Sequence, residues 1–151
     1  MNRRDALNVL AGGVVIATLP LEGLCADQDV TAALRTLFGT RPIREGRVSL
    51  KLPKLAESGN SVPLVVSIKG GIANKLTVQR ACIFAARNPR PLIATVMFGP
   101  AAGNATFSTN IRLNGTQDVI AVAEFTDGSL WRTQVRVLVT IGACDALQTR
   151  Y

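Results

Sequence analysis

The chain contains no histidine among its 151 residues. That excludes Ser-His-Asp and Cys-His nucleophile pairs and every metal site that uses imidazole. Cysteine is nearly as scarce, with Cys25, Cys82 and Cys144 too far apart for a Cys-x-x-Cys redox pair. Aromatic residues make up only 5% of the chain and no basic run exceeds Arg3-Arg4, which argues against a nucleic-acid surface. Acidic residues are few as well, 10 against 17 basic, and they are spread singly, so paired carboxylates have no support. Gly70-Gly71 lacks the following Lys-Ser/Thr of a phosphate loop. No apolar run is long enough for a membrane span, because Val9 to Leu21 is interrupted by Gly12, Gly13 and Pro20.

What is present begins with an export signal. Arg3-Arg4, a short apolar centre and the exit Leu24-Cys25-Ala26 make a cleavable segment over residues 1–26, with no stable membrane anchor. The adjacent arginines point to the twin-arginine route, although Ala6 occupies a position that usually holds a large apolar residue, and a Sec signal stays open. The removed charges cancel, so the mature chain keeps the whole net charge of +7, which reads first as a solvated basic surface and in the alternative as one that attracts small anions. Two cysteines remain in an oxidising compartment. Cys82 sits in an apolar strand beside Ile83 and Phe84 and reads as a buried, inert thiol. It and Cys144 can form one disulfide, or each can stay free.

Residues 27–141 read as one domain. Asp29 caps a short helix to Phe38, and Gly39 stops it. The period then changes to two, in runs at Val48 to Leu52, Val62 to Ile68, Val78 to Ala86, Leu92 to Phe98 and Ala105 to Leu113. Asn114-Gly115 and Asp127-Gly128 suit tight hairpins, which would join the last three strands into a meander. The expectation is an all-β fold: an immunoglobulin-like, two-layer antiparallel sandwich of about seven strands, preceded by a short helix. After Ile141 the chain continues as a cysteine arm and tail, residues 142–151, with Cys144 three residues past the last strand. That thiol is within about 10 Å of the sheet along an extended chain, and a short arm can carry it into another protein's active site.

The chain resembles the SoxY family, the sulfur-carrying subunits of periplasmic thiosulfate oxidation. The resemblance rests on Glu57 to Leu64, Ile83 to Pro89, Phe107 to Leu113, Val122 to Trp131 and Val137 to Cys144, in that order, behind the twin-arginine start. It implies a carrier that is not an enzyme, needs no cofactor of its own and pairs with a SoxZ-like subunit as a heterodimer. It further implies that Cys144 holds sulfur covalently. A SoxAX-like haem enzyme loads thiosulfate, a SoxB-like hydrolase releases sulfate, and a SoxCD-like enzyme oxidises the remaining sulfur. Family arms end in Gly-Gly-Cys-Gly-Gly. Here Gly142 is kept, Ala143 replaces the second glycine, Asp145 and Ala146 replace the last two, and seven residues follow Cys144. Those changes stiffen the arm and place a negative charge beside the thiol. They leave an alternative open, a SoxZ-pairing structural or regulatory homologue that carries no sulfur.

Overall fold

The computed structural model describes residues 24–70, 76–100 and 104–142. The segment read as the export signal lies outside them up to residue 23. One helix, α1 (Leu24–Phe38), precedes nine strands: β1 (Ile43–Glu45), β2 (Val48–Lys51), β3 (Leu55–Ser58), β4 (Val62–Ile68), β5 (Val78–Ala85), β6 (Leu92–Met97), β7 (Ala105–Ile111), β8 (Gln117–Phe125) and β9 (Leu130–Ile141). The helix begins before Asp29, which is therefore an internal helical residue and not the cap. Gly39 ends it with φ 66° and donates its N–H to the Arg35 carbonyl at 2.8 Å.

The strands form a sandwich. The larger sheet runs β1-β9-β8-β5-β6, with β3 also on β9, and the smaller runs β2-β4-β7. The two strands that sequence alternation did not show are β1 and β3, three and four residues long. Both lie parallel to β9, Ile43 opposite Leu130 and Leu55 opposite Leu138, whereas the other pairings are antiparallel. Strands this short carry too few residues to display a period.

The smaller sheet buries one face. In β4, Val62, Leu64, Val66 and Ile68 are buried while Pro63, Val65 and Ser67 are not. The larger sheet is covered on both. Ala81, Ile83, Val119, Ala121 and Val137 meet the smaller sheet, and on the opposite face Cys82, Phe84, Ile120, Val122 and Leu130 pack under Val30 and Phe38 of α1. The helix is thus a third layer.

This layering corrects the meander. Asp127-Gly128 does make a hairpin, with Gly128 at φ 80° and the Phe125 N–H bonded to the Ser129 carbonyl at 3.0 Å. Asn114-Gly115 also turns the chain, Gly115 at φ 79°, but it is an arch between layers. β7 pairs β4, Ile111 opposite Val62, and β8 pairs β5 and β9. The reason is polarity. β7 exposes Thr106, Ser108, Thr109 and Asn110, which a place beside the central strand β8, buried on both faces, could not accept without burying unsatisfied groups.

A buried carboxylate fastens the helix. Glu124 on β8 accepts from Arg41 Nη1 at 2.6 Å and from Arg80 Nε. The same two arginines donate to the last helical carbonyls, Arg41 to Phe38 at 3.1 Å and Arg80 to Leu37 at 3.2 Å. Burial pushes the Glu124 carboxyl up, but the hydrogen bonds and charges of Arg41 and Arg80 outweigh it and hold the group below the usual carboxylate range.

Candidate functional site

The end of β9, after which the sequence places the expected cysteine arm, is heavily braced. Leu138 donates its N–H to the Lys54 carbonyl at 2.9 Å, and Ser58 of β3 lies opposite Ile141. Gly59 then donates its N–H to the Ile141 carbonyl at 2.7 Å while its own carbonyl accepts from Leu113 N–H at 2.8 Å. On the other side the Thr116 hydroxyl accepts from Val139 N–H at 2.9 Å and donates to the Val139 carbonyl at 3.3 Å. Gly142, expected as the first residue of the arm, is still buried. Ala143, Cys144 and Asp145 lie outside the described residues. The described chain therefore ends on a fixed root, and the neighbouring surface is apolar: Leu55 is 62% exposed, Leu138 49% and Ile141 51%.

A polar knot ties the loops at this end of the sandwich. Gln117, 2% exposed, accepts from the Arg87 N–H through Oε1 at 2.7 Å and donates through Nε2 to Asn88 Oδ1 at 3.0 Å. Asn88 Oδ1 also accepts from Asn114 N–H at 2.9 Å, and Asn88 Nδ2 donates to the Arg112 carbonyl at 2.8 Å. Among the described residues no buried side-chain polar atom is left without a partner. A fully satisfied network of this kind rigidifies the loops it joins. It holds the segment after β5 against the arch after β7.

Clefts on the surface of the described residues include the following two. The first, about 650 Å³, sits between the edge strands β6 and β7 and is lined by Arg90, Arg112, Leu92, Ile93 and Ile111. The second, about 480 Å³, is lined by Glu45, Asp118, Arg132 and Arg136. Its charges are matched, Arg132 to Glu45 at 3.4 Å and Arg136 to Asp118 at 3.8 Å. The first cleft is basic only.

Cys82 plays no part in this geometry. It is a free thiol, 0% exposed between the larger sheet and α1. Burial raises its pKa, against smaller opposing effects from a Thr95 hydrogen bond and the Arg80 charge. That agrees with the inert thiol expected from its apolar surroundings. Among the described residues no group of three His, Cys, Asp or Glu side chains could hold a metal ion, and no helix is long and apolar enough to cross a membrane. Sequence reasoning singled out Cys144 but none of the residues that brace its root. Gln117, an amide opening β8 ahead of the apolar run Val119 to Ala123, was the available signal.

Comparison with known proteins agrees with this architecture. The family model described as sulfur oxidation protein SoxY matches residues 34–144. Among solved structures the chain is similar to the sulfur carrier protein SoxY from Chlorobium limicola f thiosulfatophilum, with 25% identity and a TM-score of 0.67 over 78% of this chain and 97% of that one. It is also similar to a superoxide reductase (neelaredoxin) from Ignicoccus hospitalis, at 17% identity and a TM-score of 0.50 over 62% of this chain and 80% of that one. The second likeness concerns the fold alone. Among curated proteins none matches.

Proposed function

The chain belongs to the SoxY family of sulfur oxidation proteins, and we propose that it serves sulfur oxidation as a periplasmic covalent carrier with Cys144 as the attachment point. The observation that carries this reading is the braced end of β9: a rigid root at Ile141 and Gly142, followed two residues later by a thiol, within a family match that runs to residue 144. A swinging thiol needs a fixed pivot, because its search volume is set by the chain beyond the last anchored residue.

The chemistry follows from the thiol. The Cys144 thiolate and the outer sulfur of thiosulfate form an S–S bond, and two electrons pass to a SoxAX-like haem enzyme. Water then cleaves the bond between the sulfone and the sulfane sulfur in a SoxB-like hydrolase, releasing sulfate and two protons and leaving a persulfide on the arm. A SoxCD-like enzyme oxidises that remaining sulfur. The carrier contributes no catalytic group; covalent attachment keeps the intermediate at high local concentration. A SoxZ-like subunit completes a heterodimer, export follows the twin-arginine segment 1–26, and the positive net charge draws in sulfur oxyanions.

The test is to incubate the exported heterodimer with thiosulfate and the haem enzyme and weigh the chain. A mass gain that Cys144→Ser abolishes is expected. No gain, with a thiol that still reacts with small oxidants, overturns the carrier reading and favours the non-carrying SoxZ-pairing homologue. That second reading rests on Ala143, Asp145, Ala146 and the longer tail.

A further inference from the structure

The geometry points to a binding site for a tetrahedral sulfur oxyanion at the mouth of the cleft between β6 and β7, with Arg90 and Arg112 as its cationic walls. It deepens the carrier reading by giving the anionic end of the cargo a seat on the carrier itself. Both arginines line a cleft of about 650 Å³, and among the described residues neither forms an ion pair. The neighbouring Arg87 is committed, its guanidinium donating to the Thr116 carbonyl at 3.3 Å. The cleft lined by Arg132 and Arg136 shows the contrast: its arginines face Glu45 and Asp118, so it offers an incoming anion no net positive charge.

Two unpaired guanidiniums select an anion only when their backbones are held at a fixed spacing. Asn88 does this, because its Nδ2 donates to the Arg112 carbonyl at 2.8 Å while Asn88 itself stands two residues before Arg90. Buried Gln117 then fixes Asn88. The two walls are therefore cross-linked through side-chain hydrogen bonds before any ligand arrives. Planar guanidiniums suit the paired oxygens of a sulfate-like group. The apolar floor of Leu92, Ile93 and Ile111 lowers the local dielectric and suits a polarisable sulfane sulfur.

The site also stands beside the arm. The Ile141 carbonyl is bonded to Gly59, and Gly59 to Leu113, the residue next to Arg112. Cys144 is three residues past Ile141, a reach of about 10 Å. The contacts from Ile141 through Gly59 to Leu113 thus place the end of β9 next to the strand end that carries Arg112, and a sulfonate-terminated adduct on Cys144 is the cargo the cleft would receive. The cleft holds the adduct's anionic end between visits to partner enzymes.

The experiment uses the full chain with Cys144→Ser and follows backbone amide signals during titration with sodium thiosulfate at constant ionic strength. Saturable shifts are expected at Arg90, Leu92, Ile111 and Arg112, reversed by competing sulfate. In Arg90→Gln/Arg112→Gln the dissociation constant should weaken by about tenfold or more, the loss of charge-assisted hydrogen bonds to one anion. Either single variant, if the double variant fails to fold, should weaken binding by a smaller factor. Shifts that never saturate, that persist unchanged in these variants, or that centre on Arg132 and Arg136 overturn the assignment. Since Cys144→Ser cannot carry sulfur, a negative result here leaves the mass measurement of loading untouched, and a failed loading leaves this site standing.

Discussion

Asp145 follows the thiol that carries the proposed function. A carboxylate one residue from the nucleophile would disfavour both the thiolate and an anionic adduct. A single exposed charge at that range is worth a fraction of a kcal/mol in water, so Asp145→Asn should raise the rate of Cys144 alkylation by iodoacetamide about two- to threefold at neutral pH. High salt should shrink the difference. An unchanged rate would mean that Asp145 faces away from the sulfur. At this scale the sequence was informative about the thiol and silent about its surroundings. Cys144 stands out because it is three residues past a long alternating strand. Gly59, Thr116, Asn88 and Gln117 do not, because each acts through a contact with a segment far away in the chain, and no local pattern records a hydrogen bond across 23 or 29 positions.

The helix and β9 are the elements that matter most to the site. α1 is locked by Glu124, whose carboxyl titrates lower in the folded chain than in the unfolded one. Its contribution is therefore complete above the ordinary carboxylate range, about pH 4.3, and is lost as pH falls through the folded value. Glu124→Gln should lower stability by about 1–3 kcal/mol at pH 7, since it removes the negative charge that two partly exposed arginines share while keeping one acceptor oxygen. The same variant should show a weaker loss of stability below about pH 4.3 than the parent in urea melts. At the other end of the sheet, Thr116→Val removes both hydroxyl bonds to Val139. That should cost about 1–2 kcal/mol and speed amide exchange over residues 138–141. Element reading from sequence succeeded where a strand has one buried face and at least six residues, as in β4. It misassigned Asn114-Gly115 because a turn motif specifies a change of direction and not the sheet that receives the next strand. The signal that would have corrected it was the apolar run of β8 from Val119 to Ala123, part of a stretch buried at seven successive positions to Phe125 and interrupted only by Glu124. A strand of that kind is covered on both faces, which the polar β7 cannot be.

Across the whole molecule Cys82 and Cys144 are expected to report on different motions, and that makes the layered architecture testable. Cys82 lies at 0% exposure between the larger sheet and α1, so a reagent reaches it only when the helix lifts or the sandwich opens. The helix is held by Val30 and Phe38 in the same cluster as Phe84 and Val122, and by the Glu124 lock to β8. These contacts join it to the central strands of the sheet, which makes peeling nearly as costly as unfolding. Cys82 alkylation should therefore accelerate with urea along the full slope of global unfolding, while Cys144 reacts without denaturant and with little urea dependence. Mass spectrometry of the two alkylated peptides separates the rates. A shallow urea dependence at Cys82 would show that α1 detaches as an independent unit and that the fold is two layers with a loosely docked helix. A steep one makes helix, sheet and smaller sheet a single cooperative body, and the rigid root that the arm requires is then a property of the entire domain.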